Sequence, residues 1–206
     1  EYAKKGPVTN FVRTCIEILS SLPSVVVGLF GYLIFVVQFE YGFSIISGSL
    51  ALTVFNLPQM TRNVEDSLRH VHHTQREAGL ALGISRWETV LHVVIPEALP
   101  SIVTGIVLAS GRIFGEAAAL IYTAGQSAPA LDWSNWNIFS VTSPISIFRQ
   151  AETLAVHIWK VNSEGTIPDG TAVSAGSAAV LLIFILIFNL GARKLGSYLH
   201  KKLTSA

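Results

Sequence analysis

Four stretches of this 206-residue chain are apolar over lengths that cross a bilayer as helices, and they limit what the rest can do. A span needs about 20 predominantly apolar residues. The stretches lie at about 22–39 (LPSVVVGLFGYLIFVVQF), 41–60 (containing FSIISGSLALTVFNLPQM), 98–124 and 172–190 (AVSAGSAAVLLIFILIFNL). In hydrocarbon the backbone must satisfy its own hydrogen bonds, so spans of this length are helices. The expected fold class is all-α, a polytopic helical membrane protein with one transmembrane domain over residues 1–206. Composition agrees: half the residues are hydrophobic and 13% are charged, against about a quarter charged in soluble domains. Mean hydropathy is +0.52.

The positions of lysine and arginine set the expected orientation. Lys4, Lys5 and Arg13 precede the first span, and Arg62, Arg69, Arg76 and Arg86 lie between the second and third. Arg193, Lys194, Lys201 and Lys202 follow the fourth. With four spans these regions share one face and hold 11 of the 14 basic residues. The positive-inside rule then places both ends and a loop over 61–97 in the cytoplasm, and a loop over 126–171 outside. The formal charge of +1 gives no reason to expect a nucleic-acid partner. The single cysteine, Cys15, leaves no disulfide framework and no zinc site built on cysteine pairs. The chain starts at Glu1 and its only methionine is Met60, which suggests a fragment or processed form.

Before the first span, PVTNFVRTCIEILSS sets Val8, Phe11, Cys15, Ile18 and Leu19 near one side of a helix. Two readings stand, an amphipathic helix in the cytoplasmic interface and an extension of the first span. In the outer loop, SPISIFRQAETLAVHIWK reads as a helix, with Ser143 as cap and Pro144 at its first position. Trp133, Trp136 and Trp159 there suit interfacial anchoring or contact with an external partner. His70, His72 and His73 form a cluster, but adjacent residues on a helix point apart, so a solvated turn is expected and no metal site. No nucleophile motif marks a catalytic residue.

HTQREAGLALGISRWETVLHVVIPEALP, within the 61–97 loop, is the most specific stretch. Thr74 with Glu77, and Ser85 with Glu88, have the capping-box pattern of two helix starts. Gly83 between them suits a left-handed helix stop. Pro96 and Pro100 mark the approach to the third span. This stretch resembles the EAA loop of permease subunits of bacterial ABC importers, E-A-A-x3-G-x9-I-x-L-P. Glu77, Ala78, Gly79, Gly83, Val93, Ile95 and Pro96 fall at the matching spacing. Glycine stands for the second alanine, and valine and isoleucine for the isoleucine and leucine. The resemblance implies that the loop docks a separate ATPase and carries its motion to the membrane. The chain itself has no G-x4-G-K-[ST] phosphate loop, so ATP and Mg are expected on a partner ATPase and no cofactor on this chain.

The third span, VTGIVLASGRIFGEAAALIYTAG, carries Arg112 and Glu116. Insertion scales put an arginine at mid-membrane at roughly 2.5–3.5 kcal/mol. At helical spacing the two charges share a face and can pair, which lowers that cost. Gly111 and Gly115 form a G-x-x-x-G on which another helix can approach closely. The bland reading is a structural ion pair. The functional one has Arg112 offer its planar fork to an oxyanion, phosphate or sulfate being natural fits, with Glu116 orienting the arginine or keeping the anion from binding too tightly.

The R-x-x-G-E element of Arg112, Gly115 and Glu116, with the EAA loop and the long outer loop, is similar to the PstA-type permeases of bacterial phosphate-specific ABC importers, which are MetI-like. The likeness runs through nearly the whole chain. It implies a phosphate path at Arg112, Gly115 and Glu116, and ATPase coupling through Glu77, Ala78, Gly79, Gly83 and Pro96. The implied partners are a homologous PstC-type permease, two copies of a PstB-type ATPase and an extracytoplasmic phosphate-binding protein, all at a bacterial cell membrane. Complete members usually have six spans, which implies two more before this chain begins. The rival readings are a permease for sulfate or molybdate, and a non-transporting membrane scaffold that binds a cytoplasmic protein through 74–96.

Overall fold

A computed structural model describes residues 6–165 and 167–204, so Lys4 and Lys5 lie outside the described residues. Every regular element among those residues is helical. In chain order these are α1 (Pro7–Ser21), α2 (Ser24–Gly31) running into a π-helical segment (Tyr32–Gln38), α3 (Ile45–Arg69), α4 (His73–Ala81), α5 (Arg86–Thr89) with a second π-helical segment (Val90–Val94), α6 (Ile95–Phe114), α7 (Ala118–Ile121), α8 (Leu154–Glu164) and α9 (Gly170–Thr204).

Among the described residues two helices are long and apolar enough to cross a membrane, Arg86–Phe114 and Gly170–Tyr198, each of 29 residues. At 1.5 Å per residue that is about 43 Å, more than the hydrocarbon thickness. A third counts if Pro7–Ser21 and Ser24–Gln38, bent by 104° at their break, form one span. The sequence places four spans. Residues 45–60 of the stretch at 41–60 fall in α3, which runs on through the charged residues Arg62, Glu65, Asp66 and Arg69.

The third expected span, 98–124, is displaced. Its helix begins at Arg86 and ends at Phe114, and a short turn separates it from α7. The π segment Val90–Val94 keeps the first part continuous. Pro96 has no N–H to offer the carbonyl four residues back, and a widened turn accommodates that loss.

The chain divides into two compact units. One comprises Glu1–Glu17, Pro58–Gly111 and Leu186–Ala206, the other Ile18–Leu57 and Arg112–Ile185. In the first, Val71, Val94 and Ala98 form a buried cluster against Leu68 and Ile102. The Ser67 hydroxyl donates to Ser101 Oγ at 3.0 Å, and Arg76 donates to the carbonyl of Leu68. The stretch from α4 to α5 is thereby tied at its base to the end of α3 and the start of α6.

In the second unit Leu120, Ala124 and Val156 are buried together, with Leu52, Ala117 and Ile121 against them. Glycines let backbones meet here. A Cβ on Gly28 would stand 2.9 Å from Ala119 Cα, and one on Gly48 2.8 Å from Ala124 Cβ. The start of α3 borrows acceptors from far along the chain. Ser44 N–H donates to Thr123 O at 3.1 Å, Ile45 N–H to Arg149 O at 2.9 Å and Ile46 N–H to Ile147 O at 2.9 Å.

That borrowing corrects the expected helix from Ser143. Helix α8 starts only at Leu154, capped by Thr153 Oγ1, which accepts from Val156 N–H at 3.3 Å. The carbonyls of Ile147 and Arg149 serve the free amides of α3 instead of a helix of their own, and an unpaired helix start is costly when buried.

Gly28→Val is expected to destabilise the second unit by about 1–3 kcal/mol through overpacking. Gly176→Ala, where a Cβ meets nothing within 4 Å, should leave it unchanged or slightly more stable. Thermal unfolding of the purified protein in detergent compares the two.

Candidate functional site

The loop between α3 and α6 presents the motif residues on two short helices. Glu77, Ala78 and Gly79 lie in α4. Gly83, two residues past its end, has φ +79°, a conformation costly for any side chain but glycine's. The start of α5 carries a complete capping box. Ser85 Oγ accepts from Glu88 N–H at 3.2 Å, and the Glu88 carboxylate accepts from Ser85 N–H at 2.9 Å. The matching box expected at Thr74 does not form. His72 is the N-cap of α4 and makes no side-chain capping bond, and Glu77 meets His73 Nδ1 at 3.1 Å. With the helix starting at His73, Thr74 sits inside its first turn, where its hydroxyl cannot cap.

The glycine at 79, where the EAA pattern has alanine, has a neighbour that accounts for it. Gly79 is buried, and a Cβ there would lie 2.8 Å from Thr89 Cγ2. Thr89 is itself buried and donates its hydroxyl to Ser85 O at 3.0 Å. Helices α4 and α5 are joined through this contact. The outer surface includes large apolar side chains, Leu82 being 82% and Trp87 69% exposed. Pro96 lies in the first turn of α6.

Arg112 stands in the last turn of α6, with its guanidinium carbon 5.0 Å from the centre of the Phe55 ring. That distance is within cation–π range. The helix then stops. Gly115 N–H donates to Arg112 O at 3.1 Å and Glu116 N–H to Ile113 O at 3.0 Å, a tightened final turn. Glu116 therefore does not stand one helical turn above Arg112. Its carboxylate accepts from Ala119 N–H at 3.3 Å, at the start of α7. The face shared by an arginine and a glutamate is replaced by two charges that serve two helix ends.

The expected G-x-x-x-G surface also separates. A Cβ on Gly111 would lie 3.1 Å from Asn189 Oδ1, whereas one on Gly115 meets only Arg112 O, at 3.6 Å. Sequence reasoning missed Phe55, Thr89 and Asn189. Asn189 had a signal, an amide inside the apolar run ILIFNLG; Phe55 and Thr89 had none.

Two other stretches were singled out in the sequence. The histidines bind locally, His70 Nδ1 lying 2.6 Å from Asp66 O. Among the described residues no group of three or more His, Cys, Asp or Glu is placed to hold a metal ion. In the loop after α7, Asp132 Oδ1 accepts from Ser134 Oγ at 2.6 Å and from its N–H at 3.0 Å. The Ser134 side-chain bond, then the backbone one, holds the Asp132 carboxyl below its ordinary range. Trp133 and Trp136 flank this turn and are exposed.

The described residues thus form a chain of helices with a capped two-helix loop ahead of a long apolar helix. The chain belongs to the family of binding-protein-dependent transport system inner membrane components, whose profile matches residues 2–205. This family, MetI-like, consists of transport subunits and not of enzymes. The chain is similar to the probable ABC transporter permease protein YqgI of Bacillus subtilis (strain 168), with 60% identity over 205 residues, 100% of this chain and 70% of that protein. It is also similar to the phosphate transport system permease protein PstA of Xylella fastidiosa (strain 9a5c), at 36% over 196 residues, 95% of this chain and 63% of that one. PstA of Haemophilus influenzae matches at 31% over 201 residues, 98% of this chain and 64% of its own length. The chain thus spans 63% and 64% of the two PstA relatives. No solved structure gives a significant match.

The Gly79–Thr89 contact yields a test. Gly79→Ala gains about 1 kcal/mol of helix propensity, but it drives a Cβ into the stiff, β-branched Thr89, a clash costing about 1–3 kcal/mol. The single variant should loosen the loop, seen as faster amide exchange in α4 and α5. Adding Thr89→Ser removes the methyl and keeps the hydroxyl, so the double variant should exchange as slowly as the parent.

Proposed function

We propose that the chain is the permease subunit of an ATP-driven inorganic phosphate importer. Arg112, Gly115 and Glu116 lie on its translocation path, and Glu77, Ala78, Gly79, Gly83 and Pro96 belong to the loop that docks the ATPase. The observation that carries the path assignment is the break after Phe114. Non-helical backbone at membrane depth is tolerated where it is buried in protein or lines a water-filled cavity, and Arg112 stands exposed beside this break. The guanidinium is always charged and its planar fork matches two oxygens of a tetrahedral anion. Residue chemistry alone admits sulfate or molybdate as well. The PstA names of the relatives favour phosphate.

In this reading the assembly adds a homologous PstC-type permease, two PstB-type ATPases that bind ATP and Mg, and an extracytoplasmic phosphate-binding protein. The subunit sits in the bacterial cell membrane with both ends of this chain cytoplasmic, as the placement of basic residues supports. The scaffold reading has no use for an arginine at a helix break in an apolar stretch.

The path assignment is tested by phosphate uptake in vesicles carrying the complete transporter. Arg112→Gln should lower uptake roughly tenfold or more, since a hydrogen bond to a charged group is worth about 1.5–3 kcal/mol. Arg112→Lys should restore little, because it supplies a point charge without the fork. Normal uptake by assembled Arg112→Gln complexes would remove Arg112 from the path.

The docking assignment has its own measurement. Gly83→Pro cannot adopt φ +79°, so the angle between α4 and α5 changes. The ATPase should then dissociate during purification, or hydrolyse ATP without responding to substrate. Substrate-stimulated hydrolysis at the parental rate would count against the loop as the docking element.

A further inference from the structure

Helix α1 is amphipathic with its faces turned the wrong way for a helix packed on a water-soluble protein. Its polar side holds Asn10, Arg13 and Glu17 at i, i+3 and i+7, and this is the side tied to the protein. Arg13 donates to Glu65 on α3 at 2.7 Å. Arg69 meets the same carboxylate at 2.6 Å, and Arg62 lies 3.5 Å from Glu17. A groove of about 630 Å³ runs between the helices, lined on the α1 side by Asn10, Val12, Arg13 and Ile16 and on the α3 side by Thr61 and Glu65 among others. The apolar arc points outward. Val8, Phe11, Cys15 and Leu19 follow at i, i+3, i+7 and i+11. Val8 is 75% and Phe11 69% exposed, and no residue of α1 is buried.

Fifteen residues make about 22 Å of helix, too short to cross about 30 Å of hydrocarbon. An apolar face held outward by ion pairs on the opposite face needs an apolar cover, and the arc has no charged side chain to set register with a protein partner. Lys4 and Lys5 precede it in the sequence, and basic residues beside an amphipathic helix are drawn to anionic headgroups. We infer that α1 lies in the membrane plane, its Val8–Phe11–Cys15–Leu19 face seated at the headgroup–acyl boundary of the leaflet on the side of the basic 61–97 loop, while Arg13 and Glu17 clip it to α3. The inference rests on the family's membrane placement and is independent of the transported anion.

The native Cys15 is the chain's only cysteine, and it reports on this face without any substitution. The complete transporter, with partner cysteines removed, is placed in phosphatidylglycerol-containing nanodiscs and spin-labelled at Cys15. In a Cys15→Ser background, the same label goes on Phe11→Cys and on Asn10→Cys. Power saturation compares access to oxygen, which concentrates in lipid, with access to a water-soluble nickel chelate. The Cys15 and Phe11→Cys labels should show a several-fold higher oxygen-to-nickel ratio than the Asn10→Cys label. If the Cys15 label reacts to nickel as the Asn10→Cys label does, the face is in water and the inference fails. It fails equally if the Cys15 label is sheltered from both reagents, because a protein surface then covers α1. Neither failure touches the phosphate reading, which uptake measurements decide separately.

Discussion

A backbone N–H or C=O withdrawn from water without a partner costs several kcal/mol, and this requirement governs where the helices of this chain stop and what meets them there. Inside a helix the requirement is met locally, so a segment such as α9 can expose Leu182, Ile183, Leu186 and Ile187 without penalty in lipid. At the ends it must be met by something else. The first amides of α3 are satisfied by carbonyls of Thr123, Ile147 and Arg149, residues remote in sequence. The start of α5 is satisfied by its own Ser85–Glu88 box. The end of α6 tightens on Ile113 and Arg112, and the start of α7 takes the Glu116 carboxylate.

Such exchanges need elements to come close, and small residues set that closeness. In the second unit Gly28 and Gly48 put their backbones against Ala119 and Ala124, burying the apolar side of α7 with Val156 of α8. In the loop Gly79 does the same for Thr89. The consequence there is mechanical. Two short helices in van der Waals contact are tied to α3 through Arg76, and Val71 just before them packs on Val94 and Ala98 at the start of α6.

Much of this was legible in the residues, and what was not has a definite cause. The apolar runs gave the helical class, and 172–190 lies within α9. Ser85, Glu88 and Gly83 behaved as their local chemistry dictates, because capping and a left-handed stop depend on a few neighbouring residues. Thr74 did not, since α4 begins two residues earlier than its pattern expects, with His72 as the N-cap. The segment from Ser143 failed for a different reason. Its helix signals are local, but the amides of Ile45 and Ile46 claim its carbonyls from a hundred residues away. Phe55 beneath Arg112 and Thr89 against Gly79 are likewise long-range or packing facts that spacing does not encode.

The same distinction reshapes the account of Arg112 and Glu116. Four-residue spacing promises a shared face only while the helix continues, and α6 ends between them. Each charge is instead eased where it stands. A cation in the last turn of a helix is favoured by the partial negative charge of the free carbonyls, and a carboxylate at the first amides of the next helix is favoured by the opposite end. The Phe55 ring adds an attraction to the guanidinium that needs no anion. The two charges thus belong to two helix ends, with irregular backbone between them.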